Sequence, residues 1–407
     1  MEHKIAGLLS TQAKRLIQGL IVACLAMIAL PAAAVVAPGS DPFYQPPKHL
    51  QENRQGSLIR WREIQPAGVA ARAWQILYQS TDARDKPIAV SGTVFVPTGS
   101  GHSADRPVIA WAPGTHGIAD VCAPSYQYVT GTDYEVSLGV IPETLARGWT
   151  VVVTDYQGLG TPGDHTYVVG RAEGHAVLDA VRAAKALPAA GISARAPVGI
   201  MGYSQGGHAA AWAAQLHEHY APELRVEGVA TGAGPARIDE AFAYADNGVS
   251  PLSAVIPYIL VGANAAYPEL RLDDILTPYG KAVVADVRQG KCLLDVLSAY
   301  SGITDAVLVE GAPILQRKDW RTRLQQSRTG AVAPDMPAFF FASPSDQLVP
   351  YANSSKLFGD WCAKGAQVAL RQINAPDHLE ALSDGWPFAL DWMADRFAGL
   401  PAPSDCK

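Results

Sequence analysis

The chain contains, near its middle, the stretch Gly199-Ile200-Met201-Gly202-Tyr203-Ser204-Gln205-Gly206-Gly207-His208. The apolar residues 196–201 predict a short buried strand, and residues 209–216 predict a helix. A Gly-x-Ser-x-Gly sequence between a strand and a helix is typical of a tight turn that exposes a nucleophilic serine, because glycines leave room for close backbone contacts. The stretch therefore predicts Ser204 as a nucleophile, with the backbone N–H of Gln205 facing a developing oxyanion.

The composition of the chain is that of a large globular protein. It has 407 residues, of which 48% are hydrophobic and 17% are charged. That is enough apolar material for one large domain with insertions or for two domains. The formal net charge is −6. Because nucleic-acid-binding proteins carry a basic patch, this balance predicts that the protein has no nucleic-acid partner.

The N-terminus has the organisation of a secretory signal peptide. Basic residues precede the apolar run 20–30, and small residues follow it at 31–34. The apolar run is too short for a comfortable membrane span. We predict that residues 1–37 are a cleaved signal peptide, which implies a secreted or periplasmic protein. The alternative is attachment of a lipid at Cys24.

The remaining chain alternates between strand and helix patterns. Runs within residues 58–96 predict antiparallel entry strands, and later apolar runs are separated by helical stretches. The later runs lie at 108–111, 150–154, 196–201, 226–230, 338–342 and 367–372. Continuously apolar strands that alternate with helices predict an α/β fold with a mostly parallel sheet covered on both faces.

One long interval interrupts this alternation. About 100 residues separate the strand at 226–230 from the strand at 338–342, where a handful would suffice for a connection. Helical patterns fill this interval. We therefore predict a mainly helical cap over residues 235–335, with the core formed by residues 38–234 and 336–407.

A serine nucleophile needs a histidine base and a carboxylate that orients the base. In folds with this strand-turn-helix motif the chain order is Ser, then Asp or Glu, then His. His378 follows the last predicted strand and precedes the closing helix, which makes it the predicted base. Asp346 follows the strand at 338–342 and is the predicted acid. Asp377 is the rival acid, although it adjoins the histidine in sequence.

The predicted oxyanion hole needs a second N–H donor besides Gln205. The loop after the strand at 108–111 is the expected source, and within residues 114–117 we choose Thr115.

Three other motifs have structural interpretations. Residues 158–163 match a dinucleotide-binding pattern, but the residues that follow are not helical. His208 lies four residues after the serine on the predicted helix and is expected to pack. The His-Glu-His sequence at 217–219 places its histidines on diverging faces of a helix. We therefore predict no metal and no cofactor.

Taken together, several motifs resemble the secretory lipase family, whose best-known relatives are the fungal lipase A enzymes. The motifs are Asp41-Pro42-Phe43-Tyr44, Gly114-Thr115, Cys122-Ala123-Pro124-Ser125, Asp155-Tyr156-x-Gly158-x-Gly160-Thr161-Pro162-Gly163 and Gly202-Tyr203-Ser204-Gln205-Gly206-Gly207. The resemblance implies an α/β-hydrolase fold with a helical cap and hydrolysis of acylglycerols or simpler esters. It matches Ser204, Asp346 and His378 to the catalytic triad and Gln205 to an oxyanion donor.

Four cysteines follow the predicted signal peptide, and an even number in an exported chain suggests two disulfides. Cys122 follows the oxyanion loop and Cys292 lies in the cap that must cover that loop. Cys362 follows the acid loop, and Cys406 lies in the tail after the closing helix. We predict the pairs Cys122–Cys292 and Cys362–Cys406, which the family resemblance also suggests.

These expectations combine into a secreted serine hydrolase of carboxylic esters that works through an acyl-enzyme. Its expected partners are an ester or lipid substrate and, transiently, a lipid interface that contacts the cap. A secreted serine peptidase on the same scaffold and a catalytically dead binding protein are the alternatives. The sequence leaves acyl chain length, the choice between lipase and esterase, and oligomeric state open.

Overall fold

The structure, a computed structural model, describes residues 35–52, 54–99 and 104–407. Residues 1–34 of the predicted signal peptide lie outside these ranges. The strands of the described chain are β1 (Leu58–Ile64), β2 (Ala71–Thr81), β3 (Pro87–Pro97), β4 (Val108–Ala112), β5 (Thr150–Thr154), β6 (Val198–Tyr203), β7 (Val226–Gly232), β8 (Ala338–Ala342) and β9 (Val368–Gln372).

All nine strands belong to one sheet with the order β1-β2-β3-β5-β4-β6-β7-β8-β9. The first three strands and β5 pair antiparallel, and the six strands from β5 to β9 pair parallel. The central strands β4, β5, β6 and β8 are buried along their whole length. Burial on both faces explains why they read as continuous apolar runs. The predicted α/β fold with a mostly parallel sheet is confirmed.

Helices connect the parallel strands. They are α1 (Pro124–Thr130), α2 (Tyr134–Ser137), α3 (Val140–Ala146), α4 (Gly170–Lys185), α5 (Gln205–Tyr220), α6 (Ile238–Ala245), α7 (Ile256–Ala266), α8 (Leu272–Ile275), α9 (Pro278–Arg288), α10 (Leu293–Tyr300), α11 (Asp305–Leu308), α12 (Lys318–Gln326), α13 (Ala352–Cys362) and α14 (His378–Phe397). Within the described residues, none of these helices is both long enough and apolar enough to cross a bilayer.

Alternate residues of each central strand face opposite sides of the sheet. In β4, Val108 and Ala110 pack with residues of α4 and α5 on one face. Ile109 and Trp111 pack with residues of α3 and α14 on the other face. Two hydrophobic cores therefore sandwich the sheet, and the loops at its carboxyl edge remain available for a site.

The predicted cap region, residues 235–335, contains the helices α6 to α12. Its helices share a hydrophobic cluster of their own, which also includes Tyr167, Val168 and Val169 of the core. The apolar stretch 252–261 is only partly α-helical, because Pro251–Val255 forms a 3-10 helix and α7 starts at Ile256. A proline fits the first turn of α7, since the N–H that it lacks has no helical partner there.

Two disulfide bonds join the pairs that the sequence predicted. Cys122–Cys292 links residues 170 apart, and Cys362–Cys406 links residues 44 apart. The first bond attaches the N-terminus of α10 to the segment after the predicted oxyanion loop, where Leu293 also donates its N–H to the carbonyl of His116 at 2.8 Å. The second attaches the tail to the end of α13.

Removing either bond is expected to destabilise the protein by an amount that grows with the logarithm of the length of the loop that it closes. Loop entropy gives an upper value of about 5 kcal/mol for the longer loop and about 4 kcal/mol for the shorter one. Replacing Cys122 and Cys292 together with alanine should therefore lower the urea midpoint more than replacing Cys362 and Cys406. A larger effect of the second pair would show that native contacts, rather than chain entropy, dominate.

Candidate active site

The predicted nucleophile lies on a sharp turn between β6 and α5. Ser204 has φ 59° and ψ −125°, a conformation that is strained for any residue with a side chain. The neighbouring glycines explain how the turn fits. A Cβ atom on Gly202 would lie 2.1 Å from the carbonyl oxygen of Gly206, and one on Gly206 would lie 1.9 Å from that of Ala112. The motif therefore needs glycine at both positions.

The predicted acid and base contact each other. His378 is the first residue of α14, and its Nδ1 donates to Oδ2 of Asp346 at 2.6 Å. The other carboxylate oxygen accepts the N–H groups of Leu348 and Val349 at 2.9 and 2.8 Å. Both side chains are almost fully buried. This arrangement fixes the plane of the carboxylate and leaves Nε2 of the imidazole available for another partner.

Asp377, the rival acid, has a different role. Its side chain accepts the N–H of Glu380 at 2.9 Å and so caps the N-terminus of α14.

Tyr203 contacts the predicted base in two ways. The carbonyl of His378 accepts the hydroxyl of Tyr203 at 2.7 Å, and the two rings lie 4.9 Å apart. The last residue of β6 therefore positions the histidine next to the turn that carries Ser204.

Four of the five predicted catalytic and oxyanion residues line one cavity, namely Ser204, His378, Gln205 and Thr115. The fifth, Asp346, is hydrogen-bonded to His378. The rest of the cavity wall is mainly apolar and comes from both the core and the cap. Examples are Leu138, Val255, Ile259, Leu297, Leu348 and Leu382. Such a wall suits an apolar group bound next to Ser204.

A buried carboxylate holds the predicted oxyanion loop. Glu135 accepts the N–H of Gly114 at 2.7 Å and the indole N–H of Trp111 at 2.6 Å. Burial raises the pKa of Glu135, and the nearby charge of His116 opposes this shift. The hydroxyl of Thr115 forms a hydrogen bond of 2.8 Å with the hydroxyl of Tyr167. The loop is therefore held by hydrogen bonds to the carboxylate of Glu135 and to the hydroxyl group of Tyr167.

His116 adds a second contact to the same loop. Its Nδ1 lies 2.9 Å from the carbonyl of Gly114, and its Nε2 lies 2.9 Å from Oδ2 of Asp133. Burial alone would lower the pKa of His116, but the hydrogen bond and charge of Asp133, assisted by the charge of Glu135, raise it to about 9. The ring is therefore a cation that donates to both neighbours.

The raised pKa of His116 predicts a pH-dependent stability. A raised histidine pKa contributes stability that is complete below the ordinary value of about 6.5 and is lost as the pH rises through about 9. The expected loss is about 3 kcal/mol, measured as the free energy of unfolding in urea across this range. In the variant His116→Gln this part of the pH dependence should disappear. An unchanged pH profile in the variant would assign the effect to other groups.

Sequence reasoning missed the buried carboxylates that support the site. Glu135 lies in α2, a helix of four residues with no periodic pattern. Glu173 lies in the first turn of α4 and accepts the side-chain amide of Gln205 at 2.7 Å. A carboxylate on the apolar stripe of a helix is a usable signal, but the apolar pattern of residues 174–186 predicts a helix that starts only after Glu173. Because α4 starts at Gly170, Glu173 lies within the helix and on its buried face.

The described residues contain no group of three or more histidine, cysteine, aspartate or glutamate side chains placed to hold a metal ion. His217 and His219 of the His-Glu-His sequence lie at the end of α5, where His217 instead contacts Asp335 at 2.9 Å. His208 contacts Glu173 at 2.9 Å.

Comparison with known proteins places the chain among lipases. The sequence model of the family described as "Secretory lipase" matches residues 126–405. Lipase A of Moesziomyces aphidis is 28% identical over 95% of this chain and 87% of its own length. A secreted triacylglycerol lipase of Malassezia globosa is 30% identical over 91% and 84%. A Mycobacterium tuberculosis protein named "Probable inactive lipase" is 27% identical over 89% and 83%.

The solved structure of Candida antarctica lipase A in its closed state is similar with a TM-score of 0.81 and 26% identity, covering 92% of this chain and 89% of that chain. The rice cell wall degrading esterase LipA of Xanthomonas oryzae, at 19% identity and a TM-score of 0.72, shares the fold. The family match covers more than half of the sequence and includes Ser204, Asp346 and His378. The chain belongs to the secretory lipase family.

Proposed function

We propose that this protein hydrolyses carboxylic esters through Ser204, His378 and Asp346. Family membership and the similarity to lipases support ester hydrolysis in general. The observation that carries the finer proposal is the contact of 2.6 Å between Nδ1 of His378 and Oδ2 of Asp346, in a cavity that Ser204 also lines from its strained turn.

In the proposed reaction, the hydroxyl oxygen of Ser204 attacks the ester carbonyl carbon while Nε2 of His378 takes the hydroxyl proton. The tetrahedral intermediate then expels the alcohol, which receives that proton, and leaves an acyl-serine. Water attacks the acyl-serine by the same route and releases the carboxylic acid. Asp346 stabilises the imidazolium that forms in each half-reaction. The N–H of Gln205 and the loop with Thr115 stabilise the oxyanion.

The proposed substrates are acylglycerols or simpler esters with an apolar acyl chain. The apolar cavity wall supports this choice, as do relatives that are named triacylglycerol lipase and lipase A. We propose that the cap, residues 235–335, covers the acyl chain, since Leu252, Val255 and Ile259 of the cap face the cavity.

Enlarging a cap residue in the cavity wall should shorten the preferred acyl chain. We expect Ile259→Trp to lower kcat/KM for octanoate esters at least about tenfold relative to acetate esters, because an indole fills space that several methylene groups need. The measurement is a series of p-nitrophenyl esters of increasing acyl length. Val307→Trp, on the cap surface with 46% exposure, is the control. Equal losses on acetate and octanoate would contradict an acyl-binding cap.

The alternatives make opposite predictions in direct assays. A peptidase on this scaffold would cleave an aminoacyl anilide as well as a p-nitrophenyl ester, whereas an esterase would cleave only the ester. A dead scaffold, a possibility that the M. tuberculosis relative's name raises for this family, would cleave neither. We expect ester cleavage and stoichiometric labelling of Ser204 by an organophosphonate, read by peptide mass. Absence of labelling in correctly folded protein would contradict the proposal.

We also propose that the protein acts outside the cytoplasm after removal of residues 1–37. Relatives named as secreted lipases and the two disulfide bonds support this location. N-terminal sequencing of the exported protein tests the cleavage site.

A further inference from the structure

A fully buried carboxylate lies directly behind the proposed oxyanion donor. Oε1 of Glu173 accepts the side-chain amide of Gln205 at 2.7 Å and the backbone N–H of Val168 at 2.9 Å. Oε2 contacts Nδ1 of His208 at 2.9 Å. The carboxylate lies in the first turn of α4, where the helix dipole favours negative charge. It therefore joins the first turns of α5 to the segment that leads into α4.

His208 completes this cluster and extends it to the end of the cap. Its Nε2 lies 2.8 Å from the carbonyl oxygen of Ser327, the residue that follows α12. Both ring nitrogens face oxygen atoms of the protein. The side chains of His208 and Glu173 are fully buried. Because no water competes for the hydrogen bond between them, that bond holds both side chains in one orientation.

Gln205 is held on two sides by this arrangement. Its amide NH2 group donates to Glu173 and, at 3.0 Å, to Nε2 of His165. Burial lowers the pKa of His165, so the neutral ring accepts at Nε2 and donates from Nδ1 to the carbonyl of Gln157 at 2.9 Å. The side chain of Gln205 is therefore hydrogen-bonded on two sides, and its backbone N–H lies in the first turn of α5.

The segment before Glu173 is strained and lines the same cavity. Val168 has φ 52°, which is unfavourable for a β-branched residue. The hydrogen bond from its N–H to Glu173 offsets part of this strain, and Val168 lies in the cavity wall. Strain that is held in place beside a reactive group is typical of a preorganised site.

From this geometry we infer that Glu173, paired with His208, is a positioning residue that holds Gln205 so that its backbone N–H faces the oxyanion. The inference rests on the proposed function, because the N–H of Gln205 matters only if Ser204 is acylated. Glu173 acts on the reaction through Gln205 and does not itself contact the substrate.

Glu173→Gln is the test, because it keeps the shape of the side chain and removes its charge. The new side chain has one acceptor oxygen where the carboxylate has two, so its NH2 group faces either Nδ1 of His208 or the N–H donors of Gln205 and Val168. Loss of a complete oxyanion donor costs about 100- to 1000-fold in kcat. Loss of its alignment should cost about 10- to 100-fold in kcat and leave KM within about threefold, since the oxyanion exists only in the transition state.

Two control variants separate positioning from general destabilisation. His217 lies on the same helix α5, with Nδ1 at 2.9 Å from Asp335 and Nε2 at 2.8 Å from a backbone carbonyl, but away from Gln205. Asp335→Asn should therefore leave kcat within twofold. Trp212 also donates to the carbonyl of Ser327, at 3.0 Å. Trp212→Phe loosens this end of the cap without touching Glu173, and it should leave kcat within twofold as well.

Binding of a trifluoromethyl ketone provides a readout that a merely structural role would not move. The hydroxyl oxygen of Ser204 adds to the carbonyl carbon of this ketone, and the resulting oxyanion lies in the proposed oxyanion hole. In Glu173→Gln its inhibition constant should rise by the same factor as kcat/KM falls. A non-reacting ether analogue of the substrate should bind with unchanged affinity. Loss of affinity for both compounds would overturn the inference, because it would indicate a deformed cavity.

A double-mutant cycle tests whether Glu173 acts through the side chain of Gln205. Gln205→Ala keeps the backbone N–H and removes the tether, so it should lower kcat by a similar factor. Adding Glu173→Gln to that variant should then change kcat less than about threefold. Additive effects would overturn the inference while ester hydrolysis by Ser204 still stood. If Ser204→Ala retained activity, the proposed function itself would fail, and the two failures are thus distinguishable.

Discussion

Ser204→Ala is expected to lower kcat for ester hydrolysis by about a millionfold, because the members of a catalytic triad act as a unit. The remaining activity should come from substrate binding and the oxyanion donors alone. The fold should be unaffected. The contact that Ser204 makes with the sheet is its backbone N–H, which donates to the carbonyl of Gly232 at 2.9 Å, and alanine keeps that contact.

The measurement is kcat on a p-nitrophenyl ester together with the thermal unfolding midpoint. Ser383→Ala serves as the matched control, since that serine lies on the exposed face of α14 and contacts only the preceding turn. We expect the control to keep full activity and both variants to unfold at the temperature of the parent. Residual activity of more than about 1% in Ser204→Ala would point to a different nucleophile.

The parts of this site that the sequence predicts are those with a local signature. The serine turn is recognisable because close backbone contacts require glycine at 202 and 206. The parallel strands are recognisable because burial on both faces makes them continuously apolar. Asp346 and His378 follow from chain order, since each comes directly after one of the last two strands. The structure brings Ser204 and His378 to one cavity at the carboxyl edge of the sheet, and Asp346 contacts His378 there.

The parts that the sequence does not predict are those whose partners are distant in the chain. Glu135 acts on Gly114 from 21 residues away, and Glu173 acts on Gln205 from 32 residues away. From the sequence alone, an isolated glutamate is expected to be exposed to solvent. Only the fold shows that Glu135 and Glu173 are buried next to hydrogen-bond donors. The short helix α2 shows no periodicity, and the start of α4 shifts by one turn relative to its apolar pattern. Tertiary contacts, rather than local helix propensity, determine where α2 forms and where α4 begins.

Asp346→Asn is expected to lower kcat by about 10⁴-fold with little change in the fold. The asparagine oxygen can still accept the N–H groups of Leu348 and Val349, so the turn after β8 keeps its shape. Its NH2 group, however, then faces Nδ1 of His378. The imidazole responds by moving its proton to Nε2, which is the nitrogen that must accept the proton of Ser204. The base is present in this variant but in the wrong tautomer.

Asp377→Asn is the matched control, because it makes the same chemical change one residue before His378. Asparagine caps a helix about as well as aspartate, so the bond to the N–H of Glu380 and the start of α14 should persist. We expect kcat within twofold of the parent and an unfolding free energy within about 0.5 kcal/mol. The comparison is made on the same p-nitrophenyl ester at saturating concentration. If Asp377→Asn abolishes turnover while Asp346→Asn preserves it, the carboxylate that orients His378 is Asp377, and the 2.6 Å contact with Asp346 only anchors the loop.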